Sequence, residues 1–236
     1  MARPVPVPVG DSPTGAPYEY VLRVARDRLD AGARYSQSLP AMNRVLYVLT
    51  GDLTVEAGGT RVPLAVNTAW HDAGPCTAVA GRQGATVLRY ELVGSGTPAV
   101  AAAGAGSTPL LAHGILLDPK AAYLMRCDRV DFDLGAEALP HRHKGGGIRC
   151  LVSGSMELRV EGEPDRVIQP GQAWFESGRE PVYARASAEQ GTSFIRCSIL
   201  PREIRGQSSI MYVDPKDAVS KPRKYTVFVD APIELP

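Results

Sequence analysis

Two histidines one residue apart are the strongest candidates for chemistry in this sequence. His141 and His143 lie in LPHRHKGGG, a segment predicted to be a β-strand. Side chains two positions apart on a strand point to the same face, so the two imidazoles would converge. Paired imidazoles suit iron, manganese, nickel, copper or zinc, and the pattern therefore predicts a transition-metal site. The alternative is a pair of polar side chains that line a pocket without a metal.

Two imidazoles alone hold a metal weakly, so a third donor is expected. The candidate is Glu176 in WFESG, because two histidines and one carboxylate form a facial triad with open positions for oxygen and substrate. Glu176 could equally be a rim residue in a turn. His113, in LLAHGILLD, could be a distant third ligand or could cap the second half of the chain.

Arg149 is a further candidate for catalysis, together with Glu176. It lies two residues after Gly147 and is predicted on the same inward face as the histidines. A buried guanidinium needs an anionic partner, either a substrate carboxylate or a buried glutamate such as Glu157 or Glu176. The preceding glycines, in KGGG, indicate either room for a substrate or only a flexible loop.

The sequence around this site repeats an earlier part of the chain. Five residues, Tyr20, Arg23, Arg26, Asp30 and Gly32, correspond to Tyr123, Arg126, Arg129, Asp133 and Gly135, and AWHDAG (69–74) corresponds to AWFESG (173–178). A repeat of this length indicates two copies of one domain, since solenoid units run to roughly 20 to 50 residues. The recurring tryptophans, Trp70 and Trp174, are interpreted as core residues.

Each copy consists of short β-branched or alternating runs separated by Gly, Pro or Asp, which predicts an all-β fold of two small barrels in tandem. The Gly/Ala-rich stretch GSGTPAVAAAGAGST is typical of a linker. The predicted divisions are a Pro-rich arm at 1–17, a first barrel at 18–105, a second barrel at 106–205 and an extension at 206–236. The extension contains the predicted strand YTVFVD, has no evident counterpart in the first copy, and is expected to pack on a barrel or a dimer partner.

The second copy resembles a cupin. The resemblance rests on Gly135, His141, His143 and Gly154 of the first cupin motif and on Pro170, Gly171 and Gly178 of the second. Together with the duplication it implies a bicupin, two jelly-roll barrels of the double-stranded β-helix type. The match is incomplete, because Gly147 stands where the family has a glutamate ligand and Pro181 where it has a third histidine. In the first copy Ser38 and Pro40 replace the histidine pair, so that barrel lacks the metal ligands and is interpreted as a structural partner.

The resemblance implies a metal-dependent enzyme that acts on a small organic acid or an enol or aromatic metabolite. Dioxygenase-type oxidation is the leading reaction and iron the favoured metal. A metal-assisted hydrolase, isomerase or decarboxylase is an alternative, as is a non-catalytic bicupin that binds a small molecule. Cupins are often dimers, so a homodimer is expected.

The composition excludes several other classes of partner. Lysine and arginine total 26 against 25 acidic residues, which implies no basic surface for nucleic acid. No apolar run approaches the roughly 20 residues of a membrane span. The four cysteines form no Cys-x-x-Cys pair, so we expect reduced, mostly buried thiols in a cytoplasmic protein.

Overall fold

The computed structural model describes residues 19–35, 37–100, 106–219 and 223–236, so the predicted arm at 1–17 lies outside the described residues. The chain divides into two compact units. The first ends at Pro119, with Leu235–Pro236 added, and the second comprises Lys120–Glu234. Nearly all of the regular structure is β-strand, which confirms the predicted fold class. No helix in the described ranges is long and apolar enough to cross a membrane.

The first unit is a single curled sheet. Its strands are β1 (Tyr20–Leu29), β2 (Asn43–Ala57), β3 (Thr60–Leu64), β4 (Ala69–Asp72), β5 (Cys76–Gly94) and β6 (Gly106–Ile115). The strand order is β3-β2-β5-β1-β6, and β4 also pairs with β2. The pairing of β2 with β5 shifts register between Val48 and Thr50 and again between Gly51 and Leu53, as bulges do where a sheet bends. The bend encloses a core that includes Leu46, Val48, Val55 and Val87.

The second unit has two sheets facing a common core. Its strands are β7 (Tyr123–Phe132), β8 (Glu137–His143), β9 (Gly147–Ser153), β10 (Met156–Val160), β11 (Arg166–Ile168), β12 (Ala173–Glu176), β13 (Val182–Ala186), β14 (Thr192–Pro201), β15 (Ile210–Tyr212) and β16 (Arg223–Ile233). The sheet orders are β11-β10-β13-β8-β15 and β12-β9-β14-β7-β16. The core includes Val130, Leu151, Met156, Leu158 and Phe194. Two short 3-10 helices, Arg202–Ile204 and Pro215–Val219, lie between the last strands.

The duplication read from the sequence is visible in the strand pairing. The order β12-β9-β14-β7-β16 repeats the order β4-β2-β5-β1-β6. β16 therefore has the same neighbour as β6, and the prediction that the extension has no counterpart was wrong. The edge strands β6 and β16 occupy the same place in the strand order, but their amino-acid sequences are not alike. Comparison of the two copies by sequence therefore did not identify them as counterparts. Because β6 pairs with β1, the first unit continues beyond residue 105, where the predicted division falls.

One glycine recurs at the same bend of both copies. Gly51 and Gly154 have φ angles of 72° and 71°. A Cβ atom at Gly154 would lie 2.3 Å from Thr192 Oγ1 and 2.9 Å from the carbonyl oxygen of Gly191. Only glycine combines this left-handed conformation with so close an approach of the neighbouring strand. Gly154, the last glycine of the first cupin-like motif, thus allows the barrel to bend at this point.

Candidate functional site

The candidate site residues lie on three strands in the interior of the second unit. His141 and His143 end β8, Arg149 is on β9, and Glu176 ends β12. Alternation along each strand turns these side chains inward, and all four are buried. β12 pairs with β9 so that Glu176 lies opposite Gly147 and Trp174 opposite Arg149. The fold therefore gathers the residues that were singled out in the sequence.

Glu176 is the centre of the contacts in this site. Its Oε2 atom lies 2.8 Å from Arg149 Nη2 and 3.3 Å from His143 Nε2. Its Oε1 atom accepts a hydrogen bond from the indole nitrogen of Trp174 at 2.8 Å. Arg149 also donates from Nη1 to the carbonyl oxygen of Gly147 at 2.6 Å. Both carboxylate oxygens are thus engaged by neighbouring side chains.

The two imidazoles differ in their polar contacts. His141 Nδ1 lies 2.8 Å from the carbonyl oxygen of Leu139, which can only accept, so Nδ1 carries the proton. His143 faces the carboxylate of Glu176 through Nε2, and its Nδ1 is buried without a hydrogen-bond partner among the described residues. Nε2 of His143 lies 3.3 Å from Glu176 Oε2, but the contact lacks hydrogen-bond geometry, since Oε2 has no hydrogen-bond partner among the described residues. The two rings meet edge to face, with centroids 4.9 Å apart.

The charges of the site follow from its burial. Burial lowers the pKa of His141 to about 4 and that of His143 to about 3, so both rings are neutral near pH 7. Burial opposes ionisation of Glu176, but the guanidinium of Arg149 together with His143 and His141 outweighs it and holds the pKa of this carboxyl well below its usual value. The carboxylate of Glu176 and the guanidinium of Arg149 therefore compensate each other within the site.

This donor set does not fit the predicted metal centre. Among the described residues, no three His, Cys, Asp or Glu side chains are grouped so that they could hold a metal ion. The carboxylate oxygen that would bind a metal already lies 2.8 Å from a cation, Arg149. The arginine thus occupies the place in the charge balance that a metal would take.

The position of the missing glutamate is filled by a neighbouring strand. A Cβ atom at Gly147 would lie 2.4 Å from Ser198 Oγ and 2.6 Å from the carbonyl oxygen of Cys197. At Gly145 it would lie 2.2 Å from the carbonyl oxygen of Ile199. The glycines of KGGG therefore allow β14 to approach closely, and they open no room for a substrate.

Other residues singled out in the sequence lie away from this group. His113 is on β6 of the first unit, opposite Leu22. Glu157 is exposed on β10, so the glutamate that partners Arg149 is Glu176. In the first unit Ser38 Oγ donates to the carbonyl oxygen of Cys76 at 3.3 Å, a local contact of its loop. Ser36 lies outside the described residues.

Sequence reasoning treated Trp174 only as a core residue and did not include Arg196. Trp174 and Glu176 are two apart on a strand, which was the available signal that they share a face. Arg196 lines the same cavity and forms a buried ion pair with Asp128, where Nε lies 2.9 Å from Oδ1. No spacing rule links Arg196 to the histidines, because β14 follows β8 by about 50 residues.

The cavity beside these side chains is small. It measures about 20 Å³ and is lined by apolar core residues and by a polar group made up of His141, His143, Arg149, Glu176, Arg196, Arg223 and Tyr225. A volume of roughly 10 to 15 Å³ on this scale holds one water molecule. This cavity therefore has room for a water-sized group but not for an organic acid.

Comparison with solved structures identifies the architecture. AerE from Microcystis aeruginosa is 15% identical over 77% of this chain and 88% of its own, with a TM-score of 0.57. An oxalate decarboxylase from Lactobacillus farciminis is 13% identical over 88% of this chain and 84% of its own, with a TM-score of 0.61. The 11S allergen of Cocos nucifera is 10% identical over 81% of this chain and 83% of its own, with a TM-score of 0.59. The chain has the cupin fold.

The cupin likeness is one of fold alone at these identities. No family model matches the sequence, and no curated protein matches it. The solved cupins include both enzymes and an allergen, and the fold hosts many unrelated activities. The function of this chain must therefore be argued from its own side chains.

Proposed function

We propose that this chain is a small-molecule-binding bicupin whose second barrel is closed by an ion pair, holds no resident metal and catalyses no reaction. The observation that carries the proposal is the 2.8 Å contact between Arg149 Nη2 and Glu176 Oε2. It satisfies the charge of the one carboxylate near the histidines. The cavity of about 20 Å³ beside it supports the same conclusion, since it is too small for a substrate.

The proposal is tested by the metal content of protein purified without chelator. We expect far less than one equivalent of iron, manganese, nickel, copper or zinc by elemental mass spectrometry. The same low content is expected in the His141→Ala/His143→Ala variant. Soaking with Mn²⁺ or Zn²⁺ should leave the unfolding midpoint of both proteins unchanged, because a ligand specific to the folded state would raise it. Near-stoichiometric metal that disappears in the double variant would overturn the proposal.

The second candidate is a metal-dependent oxygenase that acts on a small organic acid or an enol or aromatic metabolite, with His141, His143 and Glu176 as ligands. It is favoured by the 3.3 Å distance between His143 Nε2 and Glu176 Oε2, a separation that two ligands of one metal can have. Both imidazoles are also neutral, as ligands must be. This candidate requires Arg149 to leave Glu176, and the metal analysis decides between the two.

A further inference from the structure

The first unit contains a cavity far larger than that of the second unit. It measures about 400 Å³, against about 20 Å³ in the second unit. Its walls are mainly apolar and come from β1, β5, β6 and the segment after β5, with Val21, Val24, Val93, Leu111 and Ala112 among them. Cavities of roughly 300 to 1,000 Å³ with a few polar groups are typical of small-molecule sites. The barrel that lacks the histidine pair thus has the room for a ligand.

The polar end of this cavity is an ionic cluster formed around one carboxylate. Glu91 accepts from Arg23 Nε, Arg44 Nε and Arg89 Nη1, each at 2.8 Å. Burial raises the pKa of Glu91, but the three arginines outweigh it and hold the pKa below its usual value. Arg89 also donates to Asp27 Oδ2 at 2.7 Å. The cavity is therefore lined at one end by charges held in fixed positions.

The buried members of this cluster do not balance. Three guanidinium groups, those of Arg23, Arg44 and Arg89, face two carboxylates, those of Asp27 and Glu91. The most accessible of these side chains, Arg23, is 12% exposed and the other four are at most 3% exposed. An uncompensated buried cation is costly, and an anion placed beside it removes that cost. The cluster thus favours one additional negative charge.

Within the cluster, two guanidinium nitrogens have weak partners or none. Arg23 donates from Nη1 to the carbonyl oxygens of Thr97 and Pro98 at 3.0 Å, whereas its Nη2 has only a weak acceptor as its hydrogen-bond partner, the sulfur of Met42 at 3.9 Å. Nη2 of Arg44 is buried without a hydrogen-bond partner among the described residues. Arg23 lines the cavity and Arg44 does not, so Nη2 of Arg23, whose sulfur partner an anionic oxygen would outcompete, is the group at the polar end of this apolar cavity.

We infer that the cavity of the first unit binds a small, mainly apolar molecule that carries one negative charge, such as an aryl or alkyl carboxylate, with Arg23 receiving the charge. The inference rests on the proposed small-molecule-binding function and names its site and ligand class. It also reverses the interpretation of the first barrel as a structural partner only.

The test compares naphthalene-2-carboxylate with its neutral analogue, naphthalene-2-carboxamide, by isothermal titration calorimetry on the full chain. We expect one site per chain for the carboxylate and at least tenfold weaker binding of the amide. Arg23→Gln should reduce the affinity for the carboxylate to that for the amide. Arg28→Gln changes an exposed arginine of the same strand, so it is the matched control and should leave both affinities unchanged.

A second variant, which blocks the cavity with a larger side chain, tests the inference if Arg23→Gln does not fold. Ala112→Trp fills the apolar wall without altering the charges, and it should abolish binding of both probes. Binding that survives in Ala112→Trp but is lost in His141→Gln/His143→Gln would place the ligand in the second barrel and overturn the inference alone. No binding of either probe by the metal-free wild-type protein would also overturn the inference alone. Stoichiometric metal in the second barrel would instead overturn the proposed function.

Discussion

Arg149 and Glu176 form an ion pair of 2.8 Å inside the second barrel, with 1% and 6% of their side chains exposed. The pair neutralises Glu176, the carboxylate that the sequence offers as a third metal ligand. It also joins β9 to β12, which are neighbouring antiparallel strands of one sheet. Buried ion pairs stabilise a fold only while both partners remain, because a single buried charge is strongly unfavourable.

We expect Arg149→Met to destabilise the second unit by about 3–5 kcal/mol, since it leaves Glu176 charged and unpaired. The fluorescence of Trp174, which is buried in the second unit, reports the unfolding of that unit. The chain has one other tryptophan, Trp70, whose fluorescence must be removed. Urea unfolding followed by Trp174 fluorescence in a Trp70→Phe background therefore measures the free energy of unfolding of the unit that changes.

The control for this variant is Arg166→Met. Arg166 pairs with Glu163 at 2.9 Å in the same unit, but both side chains are at least 40% exposed. Exposed pairs contribute at most about 1 kcal/mol, so the control should change little. Equal decreases in the free energy of unfolding for Arg149→Met and Arg166→Met would contradict the assignment of Arg149 as the counter-ion of Glu176.

Acid should destabilise the second unit through its histidines. The folded pKa values of His141 and His143 are about 4 and about 3, below the ordinary value of 6.5. At pH values between 6.5 and the folded pKa of each histidine, the unfolded chain binds protons that the folded chain does not. The free energy of unfolding therefore falls as the pH falls. The slope is roughly 1 kcal/mol per pH unit for each histidine. Glu176 adds a loss of the same sign below about pH 4.5, because its folded pKa is also lowered.

Urea midpoints between pH 7 and pH 4.5 measure this effect. The His141→Gln/His143→Gln variant should show a flatter dependence on pH than the wild-type protein. Subtracting the two curves removes the contribution of His71, whose pKa burial also lowers. Parallel curves for the two proteins would show that the pair is not buried as neutral imidazoles.

Gly147→Ala should destabilise the second unit by about 1–3 kcal/mol, because overpacking forces β9 and β14 apart. The added Cβ would meet Ser198 and the backbone of Cys197. Gly191→Ala is the control, since a Cβ there meets nothing within 4 Å. Thermal unfolding should separate the two variants. A tolerated Gly147→Glu that gains metal would contradict our account of why the family's glutamate is missing.

Removal of β16 should also destabilise the second unit. Its Asp230 accepts from Arg126 Nε at 2.8 Å and Nη2 at 3.1 Å, and Arg126 is 5% exposed. Asp230→Ala isolates this contact and should cost about 3 kcal/mol or more in the free energy of unfolding. Glu234→Ala, at a carboxylate that is 93% exposed, is the control. Loss of residues 220–236 without any change in thermal unfolding or assembly would contradict the role given to this strand.

Local pattern predicted the β-fold, the duplication and the inward direction of the histidines, because strand alternation places residues two apart on one face. It also brought Arg149 and Glu176 into the same candidate site. It could not decide whether the partner of Arg149 was a substrate or a glutamate. It also missed the pairing of β6 with β1, since edge strands are joined through backbone groups that carry no side-chain signature.

The sequence by itself determined two cupin-like copies, one with a histidine pair and one without. Only the tertiary structure decided how those residues are used, because contacts between distant strands set which charge faces which. In the second barrel Arg149 meets Glu176 and leaves about 20 Å³, whereas in the first barrel three arginines meet two carboxylates beside about 400 Å³. The physical reason is that burial makes charge balance and free volume properties of the packed barrel, not of any short stretch of chain.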